Sequence, residues 1–85
     1  MSEPVVHAGV YEHYRGGRYL VLGVARHDET DEPLVVYVRL YSRPGGLAMT
    51  ARPVASFAGS VEVAGRSVPR FRWVGAEEPE AASPP

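Results

Sequence analysis

The sequence predicts an all-β fold, a small SH3-like barrel or roll of five to six antiparallel strands with one short helical turn. Runs rich in Val, Leu and Tyr follow a period of two and are too short and too β-branched to favour helices. Turns that contain Gly or Pro separate these runs. The chain has 85 residues, and a flat sheet of that size would leave its edges and one face exposed. We therefore expect an SH3-like barrel, with an OB-like barrel as the second choice.

The first half of the body predicts three strands. Val10–Arg15 is expected to form a strand that turns at Gly16–Gly17, a pair that tolerates positive φ in a two-residue hairpin turn. Arg18–His27 and Pro33–Tyr41 predict two long strands, because both runs are rich in Val, Leu and Tyr. The acidic segment between them, which ends at Pro33, predicts their connecting loop.

The second half of the body predicts shorter elements. They are a strand at Leu47–Arg52, one helical or 3₁₀ turn at Val54–Ala58, and a last hairpin of Ser60–Val63 with Arg66–Val74 across Ala64-Gly65. Pro69 interrupts the last strand and predicts a bulge or an edge position, because proline has no N–H to donate to a neighbouring strand.

The two long strands predict which face of the sheet forms the core. The apolar face would consist of three cross-strand pairs, Leu20 with Leu40, Leu22 with Val38, and Val24 with Val36. The opposite face would carry the tyrosines and arginines, with the ring of Tyr37 covering Gly23.

The chain divides into one folding body and two polar ends. We expect a flexible N-terminal segment at residues 1–8, a single β domain at 9–74, and a disordered, acidic and Pro-rich tail at 75–85. The two ends lack the apolar residues that would offset the entropy lost on ordering.

Several short segments agree in order and spacing with one bacterial family. They are Tyr11, His13, Tyr14, Arg15 and Gly16; VLGVARHDET at 21–30; VVYVRLY at 35–41; Arg52-Pro53; Phe57; and Gly65 with VPRF at 68–71. With these segments the chain resembles the family called domain of unknown function 1653, over about Gly9 to Val74. The resemblance implies a stand-alone β domain of the SH3-type barrel class and no established activity. The chain departs from the family at Thr50, where family members tend to have an aromatic residue, usually Trp.

Composition excludes several kinds of chemistry. The chain has no Cys, so it has no disulfide, thiolate zinc site, iron–sulfur cluster or Cys nucleophile. The three histidines, at 7, 13 and 27, match no compact metal motif, and no serine lies in a nucleophile elbow. We expect no metal and no cofactor. The sequence also has no apolar run long enough to span a membrane and no secretory signal, so we expect a cytoplasmic protein.

The basic residues are all Arg, and they lie in the folding body. Between Pro4 and Val74 nine Arg face six acids, although the net charge of the whole chain is −1. Arginine favours planar, bidentate or stacked contacts. We predict a non-enzymatic binding or adaptor module for an anionic small molecule, a nucleic acid segment or a peptide. The predicted site residues are Arg26, His27, Tyr37, Arg39, Tyr41, Arg52 and Arg70.

Three alternatives stay open at this point. His27 with Glu29 or Glu32 would transfer protons in a small enzyme that acts on a nucleotide-like substrate. The tyrosine face would instead form the interface of a structural homodimer. Arg26 and His27 would, in a purely structural role, form a salt-bridged corner with a capped turn, and Arg52 and Arg70 would pair with Glu12 or Glu62.

Overall fold

A computed structural model describes residues 5–77 of the chain. It contains seven strands and one short helix: β1 Gly9–His13, β2 Gly16–Arg26, β3 Pro33–Arg39, β4 Met49–Pro53, α1 Val54–Phe57, β5 Ser60–Val63, β6 Arg66–Pro69 and β7 Phe71–Gly75. The predicted all-β class and the single helical turn are confirmed. The predicted flexible ends fall largely on residues 1–4 and 78–85, which lie outside the described residues.

The strands form one larger sheet and one separate hairpin. The five-stranded sheet has the order β4-β3-β2-β1-β7, and β5 pairs with β6 in a two-stranded sheet. All of these pairings are antiparallel. Within residues 5–77 the larger sheet is open rather than closed on itself, so the SH3-like barrel stays a prediction.

The turn of the first hairpin lies two residues earlier than predicted. β1 ends at His13, which pairs with Gly16, and the turn consists of Tyr14 and Arg15. Gly16 and Gly17 do adopt positive φ, of 104° and 68°, but they begin β2. The predicted turn at Gly16–Gly17 is therefore wrong, and the shift brings Arg15 to the tip of the hairpin.

The predicted last strand is divided into two strands that belong to different sheets. β6 pairs with β5, whereas β7 pairs with β1. Pro69 ends β6, and the next residue forms a corner: the Arg70 N–H donates to the carbonyl of Gly59, and the Arg70 carbonyl accepts from the N–H of Tyr14. This corner joins the small hairpin to the turn of the first hairpin.

The core lies on the face of the large sheet that carries the tyrosines, which we call the inner face. Its buried residues are Tyr11, Val21, Val35, Tyr37, Val54, Phe57 and Phe71. α1 supplies Val54 and Phe57, and the Phe57 ring stacks on Phe71 with centroids 4.1 Å apart. The predicted tyrosine face is thus used inside the domain.

The predicted core face is wrong, and so is its register. Leu20 pairs with Val38, not with Leu40, and an irregularity between Val21 and Gly23 shifts the rest of the pairing. The opposite face, which we call the outer face, carries Leu20, Leu22, Val36, Val38 and Met49. Leu22 is 49% exposed there.

The predicted contact between Tyr37 and Gly23 is also absent. Tyr37 lies opposite Val21, and a Cβ atom added at Gly23 would meet nothing within 4 Å.

The tyrosines can be buried on the inner face because their hydroxyl groups have hydrogen-bond partners. The Tyr11 hydroxyl donates to the carbonyl of His7 at 3.0 Å, and the Tyr37 hydroxyl accepts from Arg52 Nε at 3.3 Å. A buried Tyr supplies a large apolar area at little cost when its hydroxyl is hydrogen-bonded.

Candidate functional site

A concave pocket of about 520 Å³ lies beside the first hairpin. We call it the basic pocket; its lining residues are His13, Arg15, Gly16, Gly17, Tyr19 and Tyr41. β1 and its turn supply the histidine and the arginine, and β2 supplies both glycines and one tyrosine. These lining residues include no carboxylate.

His13 is fixed in this pocket by its backbone and by rings. Its Nδ1 accepts a hydrogen bond from the Arg15 N–H at 3.1 Å. Its ring centroid lies 4.6 Å from that of Tyr14 and 5.0 Å from that of Phe71, which belongs to the core. Because Nδ1 is an acceptor, the proton of the neutral ring resides on Nε2.

Positive charge surrounds His13. Burial lowers the pKa of His13 below its ordinary value. Three guanidinium groups lower that pKa further, those of Arg52, Arg70 and Arg15. A neighbouring positive charge disfavours the protonated ring, so His13 is held in its neutral form.

Tyr19, in the wall of the pocket, is held in its neutral form. The hydroxyls of Tyr19 and Tyr41 lie 2.7 Å apart and share a hydrogen bond. Burial, followed by the hydrogen bond to Tyr41, raises the pKa of Tyr19 to about 12. Tyr19 therefore stays protonated near neutral pH, and its wall does not repel an anion.

Arg52 and Arg70 act on His13 but do not line the pocket, and each has a different environment. Arg52 donates to the Tyr37 hydroxyl and, at 3.0 Å, to Ser56 Oγ, and its guanidinium carbon lies 5.8 Å from the centre of the Phe71 ring. Arg70 Nε is buried and has no hydrogen-bond partner within the described part of the chain. Neither arginine has an ion pair with Glu12, whose carboxylate instead meets Arg18 and Arg72.

A second pocket of about 530 Å³ adjoins the first and shares His13 and Gly16 with it. It lies between the first hairpin and the β5–β6 hairpin, and Val63 and Val68 give it an apolar wall. Glu12 and Arg72 also line this pocket and pair with each other, so its arginine is already neutralised, unlike Arg15 of the basic pocket, for which the described residues show no ion pair.

The predicted residues Arg26 and His27 lie at the far end of β2. Arg26 pairs with Asp31, with Nη1 and Oδ1 2.6 Å apart, and lies 4.0 Å from an oxygen of Asp28. His27 Nδ1 accepts from the N–H groups of Glu29 and Thr30 at 3.1 and 3.3 Å. This is the geometry expected of a salt-bridged corner with a capped turn.

Tyr37 and Arg39, also predicted for the site, hold the fold together. Tyr37 is 3% exposed, within the core. Arg39 donates to the carbonyl of Leu47 at 2.8 Å and to that of Arg43 at 3.3 Å. Its guanidinium therefore stabilises the loop between β3 and β4. Of the predicted site residues, Tyr41 alone lines the basic pocket.

His13 and Arg15 are the pocket residues that sequence reasoning did not assign to a site. The sequence predicts His13 in the middle and Arg15 at the end of a strand, whereas the structure has His13 beside the turn and Arg15 within it. The one available signal was the run of Tyr11, His13, Tyr14, Arg15 and Gly16, which carried the family resemblance without an assigned role.

The fold and the pocket together define a class of protein: a small all-β domain with a basic, aromatic-walled pocket beside its first hairpin. Among the described residues, no group of three or more His, Asp or Glu side chains is placed to hold a metal ion. The part of the chain that the structure describes also has no helix of sufficient length and apolarity to cross a membrane.

Residues 9–73 match the family described as protein of unknown function, DUF1653. The chain belongs to this family, which confirms the resemblance. A crystal structure of a DUF1653 protein from the bacterium Bordetella bronchiseptica is similar, with 48% sequence identity over 88% of this chain and 95% of that one and a TM-score of 0.81. Among curated proteins, none matches this chain.

Proposed function

We propose that this chain is a non-enzymatic binding module that receives a small anionic molecule, with a phosphate or carboxylate group, in the basic pocket. One observation carries the proposal: three guanidinium groups act on a half-buried histidine at a concave surface whose lining has no carboxylate. A titratable group in a cleft whose pKa is shifted by burial and by specific charged neighbours is a candidate for a functional site.

The size of the pocket supports a small molecule over a polymer. Its volume of about 520 Å³ lies within the roughly 300–1,000 Å³ of known small-molecule sites. A nucleic acid segment needs an extended basic groove with many phosphate contacts, and the chain as a whole has a net charge of −1.

Two side chains would contact the anion, and two glycines would leave room for it. Arg15 would bind two of its oxygens at once, because a guanidinium matches the planar spacing of carboxylate and phosphate oxygens. His13 would donate from Nε2, since Nδ1 is already occupied by the backbone. Gly16 and Gly17 place no side chain at the wall, so the ligand can approach the backbone closely.

The small-enzyme alternative gains no support from the His27 corner. His27 Nδ1 already accepts two backbone N–H groups, and the Glu29 and Glu32 residues beside it are exposed. We therefore retain binding as the proposed function.

Amide NMR titration tests the proposal directly. Inorganic phosphate, pyrophosphate and citrate are added to the full chain, with chloride as the control at matched ionic strength. We expect saturable shifts of the Arg15, Gly16 and Gly17 amide signals, and a rise in the pKa of His13 because an anion favours the protonated ring.

Two matched variants locate the site. Arg15→Gln should lose the saturable shifts, whereas Arg26→Gln, which also removes one guanidinium, should keep them. Shifts that do not saturate, that chloride reproduces, or that appear at residues 27–32 instead would contradict the proposal. Tighter binding of a single-stranded oligonucleotide than of the three anions would replace the small molecule with nucleic acid.

A further inference from the structure

The second pocket, between the first hairpin and the β5–β6 hairpin, has an apolar wall. Val63 and Val68 form this wall. Val68 pairs with Val61, and Val63 lies two residues further along β5, so the three side chains lie on one face of the small hairpin. Val63 is 42% exposed, and the other two valines are half-buried. The wall therefore offers methyl groups, and no hydrogen-bonding side chain, to the molecule that occupies the pocket.

The charged side chains that line the second pocket neutralise each other. Glu12 and Arg72 form an ion pair, and His13, which also lines this pocket, is held in its neutral form. Among the described residues of the lining, the one guanidinium is therefore already paired. The part of a ligand that enters this pocket is stabilised mainly by burial of its own apolar surface.

The two pockets meet at His13 and Gly16. Both residues line both pockets. Gly16 has no side chain to divide the space, and a Cβ atom added there would meet nothing within 4 Å. A single molecule can therefore extend from Arg15, in the basic pocket, past Gly16 to Val63, in the second pocket.

We propose that the second pocket receives the apolar end of the anion whose charged group the basic pocket binds, so that the ligand is a small amphiphilic acid. The inference rests on the proposed function, because the basic pocket must hold the anionic group. The apolar wall extends over two residues of strand, about 6.6 Å, a length that an extended aliphatic chain of about five or six carbons spans.

Calorimetric titration of the full chain with monoalkyl phosphates tests the inference. Methyl, butyl, hexyl and octyl phosphate carry the same anionic group and differ only in the length of their chain. Complete burial of a methylene increases affinity by up to about fourfold, and the second pocket is open on one side, so we expect about twofold per methylene up to hexyl phosphate. Octyl phosphate should bind no more tightly than hexyl phosphate, because the wall ends. This plateau distinguishes a short-chain acid from a membrane lipid, whose longer chains the wall would not cover.

1-Hexanol supplies the same chain without the anionic group. It should bind at least about tenfold more weakly than hexyl phosphate, because Arg15 and His13 then have no charged group to bind. In NMR spectra, hexyl phosphate should shift the methyl signals of Val63 and Val68, whereas methyl phosphate should shift only signals of the basic pocket.

Val63→Ser tests the apolar wall, and Val24→Ser is its matched control. Both valines lie on strands and are similarly exposed, at 42% and 49%, but Val24 lines neither pocket. Val63→Ser should reduce the preference for hexyl over methyl phosphate by at least about threefold and should leave the affinity for methyl phosphate unchanged. Val24→Ser should change neither affinity, and circular dichroism should show both variants folded.

The outcomes separate this inference from the proposed function. Saturable binding of methyl phosphate without a gain from the butyl and hexyl chains would overturn the inference and leave the proposed function standing. The absence of saturable binding by all four phosphates would overturn both. A gain that continues to octyl phosphate, a gain that Val63→Ser retains in full, or binding of 1-hexanol as tight as that of hexyl phosphate would also overturn the inference.

Discussion

The two ends of β2 carry corners that are built from the same parts. One, the basic corner, contains His13 and Arg15; the other, the acidic corner, contains Arg26 and His27. In each, a histidine Nδ1 accepts a backbone N–H from two residues further along the chain, at 3.1 Å in both cases. A histidine and an arginine in a capped turn therefore do not by themselves show that the turn is a binding site.

The two corners differ in the residues that surround their histidine and arginine. His13 lies against the Phe71 ring and under the positive charge of Arg52 and Arg70. Arg26 is instead neutralised by the carboxylates of Asp28 and Asp31. Residues that are distant in the sequence therefore make the two turns different. Arg52 from β4 and Arg70 from the corner before β7 add positive charge near His13, whereas the acidic corner neutralises its own arginine.

The largest expected effect comes from removing the ring on which the basic corner lies. Phe71→Ala should lower the free energy of unfolding by about 3–5 kcal/mol, because the side chain is buried and its loss leaves a cavity. Urea unfolding measures this, with Trp73→Ala as a control on the same strand, since Trp73 is 47% exposed and should cost less. Equal losses would show that the basic corner has no special support from the core.

Truncating the two histidines compares the corners directly. His13→Ala should cost about 1–2 kcal/mol, because it removes ring contacts with Tyr14 and Phe71 as well as the turn bond. His27→Ala should cost about 0.5–1 kcal/mol, because it removes the turn bonds alone. Urea unfolding of both variants gives the ranking, and the reverse order would break the comparison.

The strands could be predicted from the sequence, but not the side of the sheet that is buried. The period of two and the turn residues locate strands near β2, β3 and the β5–β6 hairpin. On β2 and β3, however, both faces are apolar, with Leu20 and Val38 on one and Val21 and Val35 on the other. Alternation cannot choose between two such faces, and the irregularity near Leu22 changes the register in a way that no local pattern records.

The candidate site lies where the sequence did not place one, although it contains residue types that the sequence suggested. Arginines and tyrosines were expected to form it, and Tyr41 does line the pocket. His13 was missed because the turn was placed at Gly16–Gly17, which left the histidine within a strand. The corner at Arg70, which brings a third guanidinium near His13, depends on a change of sheet at Pro69 that the sequence indicates only as a bulge or an edge.

The titration of His13 gives a smaller effect whose sign is fixed. The pKa of His13 is lowered in the folded chain, so the unfolded chain takes up this proton first as the pH falls below the ordinary value of about 6.5. The contribution of His13 to stability is therefore complete above that pH and is lost as the pH falls through its folded pKa. His13→Asn should flatten this part of the curve of unfolding free energy against pH.

Phosphate should reverse the trend at the basic corner. A bound anion favours the protonated ring, so phosphate should stabilise the wild-type chain more at pH 5.5 than at pH 7.5, values that bracket the ordinary histidine pKa of about 6.5. His13→Asn should lose that difference. Stabilisation by phosphate that is independent of pH would separate His13 from the bound anion.

The smallest effect is expected at the acidic corner. Arg26 and Asp31 are close, but their side chains are 62% and 77% exposed, and an exposed ion pair contributes about 0.2–1 kcal/mol and is screened by salt. Arg26→Gln should therefore lower the free energy of unfolding by less than about 1 kcal/mol, and the difference should shrink in 1 M NaCl, where the screening length is about 3 Å. Urea unfolding at low and high salt measures both values. A loss above about 2 kcal/mol that persists in high salt would mean that the ion pairs of Arg26 contribute far more to stability than exposed ion pairs do. The two ends of β2 would then differ in ligand binding but not in their contribution to stability.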